Sequence, residues 1–281
     1  MHSYAWGAWD PCGKLQSVIR NETLFIGGLA KLQTVRDIMT KRPVAVDYDT
    51  PVLVALKRML QRRVGHLVIE RQGEYVNLLS DRDVLGIVPE RMDQLRTASA
   101  GSMASSHSVT ISPRTGIRRA AKLMLSEKAK LLLVSTKPVG VLTATDLAFN
   151  LPFTKGEQPK LTSTMTGEVE KVDYNTSLEF VMRLMREKRI GSVIVTRQRR
   201  RYGIFTEKDL LPVLTAKSPD IRAPVGKHCS KPVMTAPLKS SVAEAVTLMK
   251  KNKIKRLPLT KDGKIVRIVT ARDIVEAYAK L

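Results

Sequence analysis

A hydroxyl residue followed three positions later by an aspartate occurs four times in this 281-residue sequence. The pairs are Ser80 and Asp83, Thr143 and Asp146, Thr206 and Asp209, and Thr270 and Asp273. Successive aspartates lie 63, 63 and 64 residues apart, and each pair follows two apolar residues. A hydroxyl and a carboxylate at this spacing can satisfy the free N–H groups at the start of a helix, so each pair is a predicted helix cap.

A second set of polar side chains is a group of four arginines within one short segment. Arg197, Arg199, Arg200 and Arg201 lie between the apolar runs GSVIV and YGIFT, a pattern that predicts the tip of a β-hairpin. Such tips usually carry Gly, Asn, Asp or Pro. Because a guanidinium group binds phosphate through two parallel hydrogen bonds, we expect this tip to contact a phosphate-rich partner. The alternative is a solvated loop without a partner.

A third set is a run of cations near the carboxyl end of the chain, Lys250, Lys251, Lys253, Lys255 and Arg256. One or two cations here suit the end of a helix, where they complement the helix dipole. Five cations in seven residues exceed that need, so the cluster is a second predicted nucleic-acid-binding site.

The elements that position these residues follow from the apolar pattern. A stripe of apolar residues at helical spacing precedes each aspartate and ends in a methionine, at Met59, Met124, Met185 or Met249. A short apolar run, a turn and a second apolar run separate each stripe from its Ser/Thr-x-x-Asp pair. The unit therefore reads strand, helix, strand, strand, helix, and it occurs four times.

The repeats divide the chain into predicted segments. These are an N-terminal extension (1–34), repeat 1 (35–98), repeat 2 (99–152), a linker (153–160), repeat 3 (161–220) and repeat 4 (221–281). The motifs VDYDT and VDYNT begin at Val46 and Val172, which lie two repeats apart. The chain is therefore predicted to be a duplicated pair of repeats.

The four phased motifs resemble those of tandem cystathionine-β-synthase (CBS) domains. The resemblance implies a mixed α and β fold in which βαββα repeats pair about pseudo-two-fold axes, with two such pairs packed into a disc. It also implies clefts that bind AMP, ADP or ATP as regulatory ligands. In that case the hydroxyls of the four motifs meet phosphate, and the aspartates accept hydrogen bonds from ribose hydroxyls.

Two of the four clefts keep the small residue that precedes the motif in this family. Gly140 and Gly203 hold that place in repeats 2 and 3, whereas Asn77 and Arg267 hold it in repeats 1 and 4. On this ground Thr143 with Asp146 and Thr206 with Asp209 are the preferred nucleotide sites. Helix caps that bind nothing remain the alternative for every motif.

Composition limits the classes of function. The net charge is +22, with 48 Lys and Arg against 26 Asp and Glu, which favours a polyanionic partner over adaptation to heat or salt. Cys12 and Cys229 lie far apart, and the four histidines lack metal-ligand spacing, so neither a disulfide framework nor a metal site is expected. The sequence has no apolar run long enough to span a membrane. It also has no recognisable set of catalytic residues. We expect a cytoplasmic protein that is not an enzyme.

The charge and the repeats together predict a protein that binds structured RNA. The specific hypothesis is a ribosome-associated factor, similar to some archaeal four-repeat CBS proteins, that contacts rRNA in ribosomal subunits and inhibits translation by steric occlusion. The alternatives are a nucleotide-sensing module of a partner enzyme or transporter, and a DNA-binding protein. Self-association stays open. Trp6 and Trp9 in the extension either stack on bases or pack against the fold.

Overall fold

The computed structural model describes residues 33–86, 92–104, 109–129, 131–134, 140–152 and 169–280. The predicted linker, almost all of the predicted N-terminal extension and both tryptophans lie outside these ranges.

The described residues form four strand–helix–strand–strand–helix repeats, which confirms the predicted mixed α and β fold of βαββα units. Helix α1 (Val35–Ile38) and strand β1 (Thr40–Lys41) come before the βαββα unit of repeat 1. That unit contains β2 (Ala45–Asp47), α2 (Val52–Arg62), β3 (His66–Arg71), β4 (Glu74–Ser80) and α3 (Asp81–Leu85), and the short helices α4 (Gln94–Thr97) and α5 (Ala100–Met103) come after the unit. Repeat 2 contains β5 (Val109–Thr110), α6 (Ile117–Ser126), β6 (Leu131–Val134), β7 (Gly140–Thr143) and α7 (Ala144–Asn150).

The second half of the chain repeats this order. Repeat 3 contains β8 (Lys171–Asp173), α8 (Leu178–Glu187), β9 (Ser192–Arg197), β10 (Arg200–Thr206) and α9 (Glu207–Leu214). A short 3₁₀ helix (Val225–Lys227) leads into repeat 4, which contains β11 (Ala236–Pro237), α10 (Val242–Asn252), β12 (Arg256–Lys261), β13 (Lys264–Thr270) and α11 (Ala271–Ala279).

The apolar stripes bury the first helix of each repeat. Met59, Met124, Met185 and Met249 are all fully buried, as the helical spacing predicts. In each repeat the first strand pairs in parallel with the second, and the second pairs antiparallel with the third. Each repeat therefore contributes a small three-stranded sheet, and in repeats 1, 3 and 4 the first helix contacts the second strand of that sheet.

The start of one repeat crosses onto the sheet of its neighbour in the chain. Strand β1 pairs with β7, which adds a fourth strand to the sheet of repeat 2. The Ala100 N–H donates to the Thr50 carbonyl of repeat 1, and the Val225 N–H donates to the Thr176 carbonyl of repeat 3. These crossing segments tie repeats 1 and 2 together and attach the start of repeat 4 to repeat 3.

A tyrosine packs on a glycine beside two of these contacts, those of Ala100 and Val225. A side chain at Gly101 would overlap the ring of Tyr48, and one at Gly226 would overlap the ring of Tyr174. These tyrosines are the aromatic residues of VDYDT and VDYNT, so the two related motifs serve the same packing role. Arg71 and Arg197 lie over the rings of Tyr48 and Tyr174, at 4.8 and 5.0 Å from the ring centres.

Helices join the two halves of the chain. One apolar core combines residues of repeats 1 and 3, where α2 and α3 contact α9. A second core combines repeats 2 and 4, where α11 contacts α6 and α7. A smaller cluster lies between the sheets of repeats 1 and 2 and includes Val68, Leu78, Leu133 and Val141. Each of the four repeats is therefore in apolar contact with at least one other.

Candidate ligand-binding cavity

All four Ser/Thr-x-x-Asp pairs form the predicted helix caps. The backbone N–H groups of Ser80, Thr143, Thr206 and Thr270 donate to Oδ2 of the aspartate three residues later, over 2.7 to 2.8 Å. Three of the hydroxyls donate to the same oxygen, those of Ser80, Thr206 and Thr270. One carboxylate oxygen of each motif is therefore engaged within its own helix cap.

The motifs differ in the surroundings of the second carboxylate oxygen, Oδ1, and in the burial of the carboxyl group. Oδ1 of Asp209 accepts a hydrogen bond of 2.9 Å from the Ser230 hydroxyl, which belongs to the start of repeat 4. Asp146 and Asp273 are both partly buried, and burial raises the pKa of each carboxyl group. Hydrogen bonds from Thr143 and Thr270 act in the opposite direction and favour the charged form.

The crossing segments explain why Gly140 and Gly203, which precede the motifs of repeats 2 and 3, are small. A side chain at Gly140 would lie 2.7 Å from the Thr40 carbonyl oxygen and 2.8 Å from Met39 Sδ. One at Gly203 would overlap Cys229 Sγ and lie 3.1 Å from the Ser230 carbonyl oxygen. Both glycines therefore make room for a neighbouring segment of chain, whether or not a ligand binds nearby.

A cavity of about 350 Å³ lies where the four repeats meet. Repeat 1 contributes Ser80 with Asp81 and Arg82, and repeat 2 contributes Thr143 with Ala144 and Thr145. Repeat 3 contributes Glu207 and the segment from Arg189 to Ser192, and repeat 4 contributes Lys255, Arg256 and the residues from Thr270 to Asp273. Three of the four motif hydroxyls therefore reach the wall of one shared cavity.

Cations from three repeats line this cavity. They are Arg82, Arg189, Lys255, Arg256 and Arg272. Two of them are held in place by backbone carbonyls, because Arg82 Nη2 donates to Arg189 over 2.7 Å and Arg272 Nη1 donates to Ala129 over 2.9 Å. Each of these two bonds joins different repeats, so the guanidinium groups are fixed relative to the repeats that surround the cavity.

Glu207 is the most buried charged group of the cavity wall. Its side chain is 6% exposed, and its Oε2 accepts a hydrogen bond of 2.6 Å from Arg256 Nη2. Its Oε1 lies 3.9 Å from Arg82 Nε, and no hydrogen-bond donor reaches that oxygen from the part of the chain that the structure describes. One carboxylate of repeat 3 thus faces arginines of repeats 1 and 4.

Burial and neighbouring charges shift the pKa values of two other groups in the cavity wall. The pKa of Asp81 is raised, first by burial and then by the negative charge of Glu207, while Lys255 and Arg256 oppose that shift. The pKa of His66 is lowered to about 4 by burial and by the positive charge of Lys255. His66 is therefore neutral at pH 7, although it lies beside cations.

The residue types of the four repeats alternate at two positions of the sequence. The residue after the motif hydroxyl is acidic in repeats 1 and 3 (Asp81 and Glu207) and alanine in repeats 2 and 4 (Ala144 and Ala271). The residue directly before the second strand of the repeat is glycine in repeats 1 and 3 (Gly65 and Gly191) and lysine in repeats 2 and 4 (Lys130 and Lys255). A side chain at Gly65 would lie 3.0 Å from Lys255 Nζ, so the glycine of repeat 1 makes room for the lysine of repeat 4.

The predicted cationic cluster near the carboxyl end is divided between two places. Lys255 and Arg256 line the cavity. Lys250, Lys251 and Lys253 are exposed at the end of α10, where Lys253 adopts a left-handed conformation with φ of 53°. Lys250 lies 5.8 Å from the centre of the Phe149 ring.

The arginine-rich segment forms the predicted hairpin tip. Arg200 pairs with Arg197, so the turn consists of Gln198 and Arg199, with positive φ values of 52° and 59°. The hairpins of repeats 1 and 4 have the same two-residue turn, but a glycine occupies its second position, at Gly73 and Gly263. All four arginines of the tip are exposed, and Arg197 also lies 5.9 Å from the centre of the Tyr202 ring.

Several residues of the cavity were missed by the sequence reasoning. Asp81, Arg82 and Arg272 lie inside the motifs at the two variable positions, and Glu207 occupies the first of these positions in repeat 3. One signal in the sequence could have pointed to them. Repeats 1 and 3 have an acid at the first variable position and a glycine before the second strand, whereas repeats 2 and 4 have alanine and lysine at these two positions. This signal appears only when the four repeats are aligned.

Comparison with known proteins identifies the family. The CBS domain model matches residues 35–90, 100–152, 161–216 and 225–280, so the chain belongs to the CBS-domain family. CBS domains typically bind adenine nucleotides and generally act as regulatory, non-catalytic modules.

Similar proteins occur in archaea. An uncharacterized protein of Methanocaldococcus jannaschii is 28% identical over 269 residues, and the match covers 89% of this chain and 62% of that protein. A 33.4 kDa protein in a ribosomal RNA operon of Thermofilum pendens is 27% identical over 262 residues, covering 83% of this chain and 87% of that protein. The chain thus spans less than two thirds of the first relative's length.

A solved structure shares the fold across all four repeats. It is that of a Methanocaldococcus jannaschii protein proposed as an archaeal homologue of γ-AMPK, with a TM-score of 0.75 at 17% identity. The match covers 88% of this chain and 100% of that one. Within the described ranges, no helix is long and apolar enough to cross a membrane.

Proposed function

We propose that the chain is a non-catalytic regulatory module that binds an adenine nucleotide, with the phosphate groups in the cavity where the four repeats meet. The observation that carries this proposal is the convergence of Arg82, Arg189, Lys255, Arg256 and Arg272 on one cavity. Arginine and lysine bind phosphate strongly through charge-assisted hydrogen bonds. A cavity of about 350 Å³ is also within the size range of small-ligand sites.

The motif residues complete the proposed site. The hydroxyls of Ser80, Thr143 and Thr270 lie on the wall beside these cations and can contact phosphate. For the ribose we favour Asp146 and Asp273, whose recorded hydrogen bonds engage Oδ2. Asp209 must first release Ser230 from its Oδ1, and Asp83 completes the set of four proposed ribose contacts.

Calorimetric titration with AMP, ADP and ATP tests this proposal. Lys255→Ala removes a cation from the cavity and should weaken binding by about tenfold. Lys251→Ala removes a cation of the same sequence cluster that does not line the cavity, and it should leave the affinity unchanged. Absence of heat with all three nucleotides in the unmodified protein contradicts the proposal.

A second candidate function is the binding of structured RNA by the hairpin of repeat 3. The specific observation is Arg199, which holds a left-handed conformation where the hairpins of repeats 1 and 4 use glycine. An unfavourable backbone conformation that brings no packing gain points to a use outside the fold. The ribosomal subunit is the partner that we propose for this surface, with inhibition of translation by occlusion as the consequence.

Sedimentation with ribosomal subunits at low and high salt tests the second function. A variant with Arg199→Gly, Arg200→Gln and Arg201→Gln should lose most of its retention at low salt, because counterion release scales with the number of phosphate contacts. The matched control is Lys261→Gln with Lys264→Gln in the hairpin of repeat 4. Equal retention of both variants contradicts a role for the arginine hairpin, and stronger binding to duplex DNA than to rRNA favours the DNA-binding alternative.

A further inference from the structure

Glu207 occupies the place where an anionic ligand is expected to bind. It is the first residue of α9, its exposure is 5%, and it contacts Arg256 of repeat 4 and Arg82 of repeat 1. Both arginines line the cavity. A phosphate group that entered between them would therefore meet a carboxylate already bound there.

The contacts of Glu207 are incomplete for a purely structural ion pair. Its Oε2 is hydrogen-bonded, but among the described residues no hydrogen-bond donor reaches Oε1, and Arg82 Nε lies 3.9 Å from that oxygen. A buried carboxylate oxygen without a hydrogen bond is unfavourable. Displacement of this side chain from its position therefore costs less than the loss of a fully satisfied pair.

The helix itself does not require an acid at this position. Repeats 2 and 4 begin their second helices with Ala144 and Ala271, and these helices have the same Thr–Asp caps as α9. The acid at this place is thus a feature of repeats 1 and 3, and Glu207 lies close enough to Asp81 for its negative charge to help raise the pKa of that carboxyl group.

We infer that Glu207 is a resident anion that competes with the phosphate groups of a ligand for Arg82 and Arg256. This inference rests on the proposed nucleotide site and adds the residue that limits its affinity. The class of ligand is one with a phosphate or pyrophosphate group. Because Glu207, Arg82 and Arg256 belong to three different repeats, exchange of the carboxylate for a ligand releases a contact between repeats. Occupancy of the cavity is thereby coupled to the arrangement of the repeats.

The test compares Glu207→Gln with the unmodified protein, using inorganic pyrophosphate and AMP as probes in calorimetry. Glu207→Gln nearly preserves the shape of the side chain and removes its charge, so the affinity for both probes should rise by about tenfold to a hundredfold. Glu179→Gln is the matched control, because Glu179 is another glutamate of repeat 3 that pairs with an arginine, Arg183, but it lies on α8 and does not line the cavity. Its affinity should match that of the unmodified protein. If Glu207→Gln is unstable alone, added phosphate should raise its melting temperature more than that of the unmodified protein.

The possible outcomes separate this inference from the proposed function. Binding to the unmodified protein without a gain in Glu207→Gln, or an equal gain in Glu179→Gln, overturns the inference and leaves the proposed function intact. Binding to Glu207→Gln alone supports the inference, because the resident carboxylate then excludes the ligand, but it contradicts the proposed function of the unmodified protein. Binding to neither protein, together with no effect of phosphate on either melting temperature, overturns both.

Discussion

His66 shows how strongly the cavity alters the chemistry of a single side chain. Burial and the charge of Lys255 lower its pKa to about 4, so it stays neutral in the folded protein at pH values where an exposed histidine is charged. Its position in the sequence, alone and without metal-ligand spacing, gave no sign of this. The reason is that Lys255 lies in another repeat, 189 residues further along the chain.

The first prediction is a pH dependence of stability that originates at His66. Below pH 6.5 the unfolded chain takes up a proton at His66 that the folded protein does not. The contribution of His66 to stability is therefore present above about pH 6.5 and decreases as the pH falls toward about 4, by up to about 3 kcal/mol.

Denaturant unfolding at pH 7 and at pH 5 measures this effect when His66→Ser is compared with the unmodified protein. Serine is the residue of repeat 3 at the equivalent position, Ser192. The raised pKa values of Asp81, Asp146 and Asp273 act in the opposite direction, since their folded carboxyl groups bind protons more readily. The difference between the two proteins isolates His66. A variant whose stability falls with pH as steeply as that of the unmodified protein contradicts this account.

At the scale of elements, the glycines before the motifs could be identified from the sequence, but their packing role could not. The sequence identified Gly140 and Gly203 as small residues and associated them with nucleotide clefts. The structure gives a packing reason, because a crossing segment lies against each of them. That reason could not be read from the pattern, since each segment reaches its glycine from a neighbouring repeat.

The second prediction concerns Gly203. Gly203→Ala forces a methyl group against Cys229 Sγ and should lower the free energy of unfolding by about 1–3 kcal/mol. Adding Cys229→Ala removes the overlapping sulfur, so the double variant should lose less than the sum of the two single losses. Chemical denaturation of all four proteins provides the comparison. Additive losses exclude the proposed contact as their cause.

The third prediction concerns the hairpin turns. Arg199→Gly relieves an unfavourable positive φ and should stabilise the protein by about 0.5–1 kcal/mol, after the greater chain entropy of glycine is deducted. Gly263→Arg creates the same conflict in the hairpin of repeat 4, where nothing lies within 4 Å of the new Cβ, and should destabilise it by a similar amount. Thermal unfolding of both variants tests the pair. A destabilised Arg199→Gly means that the arginine stabilises the turn in the folded protein.

At the scale of the whole molecule, the sequence predicted the repeats but not their shared centre. Apolar periodicity and phased caps depend on local residues, so the four βαββα units and the buried methionines followed directly. The cavity depends on residues from all four repeats, and four of its charged residues (Asp81, Arg82, Glu207 and Arg272) lie at the variable positions of the motif. Lys255 and Arg256 illustrate the limit, because the sequence grouped them with the exposed Lys250 and Lys251, whereas the turn after α10 directs them to the cavity.

The cations of the molecule form two groups, those that line the cavity and those on the exposed surface. The net charge of +22 predicted a polyanionic partner, but the cavity cations include groups that are already paired or held by backbone carbonyls. The exposed arginines of the repeat 3 hairpin lie on the surface, where an extended polyanion can reach them. A nucleotide would thus bind the cations of the cavity, whereas an extended nucleic acid would bind the exposed arginines.

Equilibrium dialysis with labelled AMP tests the central claim most directly, namely that the four repeats form one phosphate-binding centre. The account predicts that the unmodified protein retains AMP with micromolar affinity and that inorganic pyrophosphate displaces it, because both ligands need the same arginines. If the label distributes equally between the chambers for AMP, ADP and ATP alike, the cavity is not a nucleotide site and the central claim is contradicted.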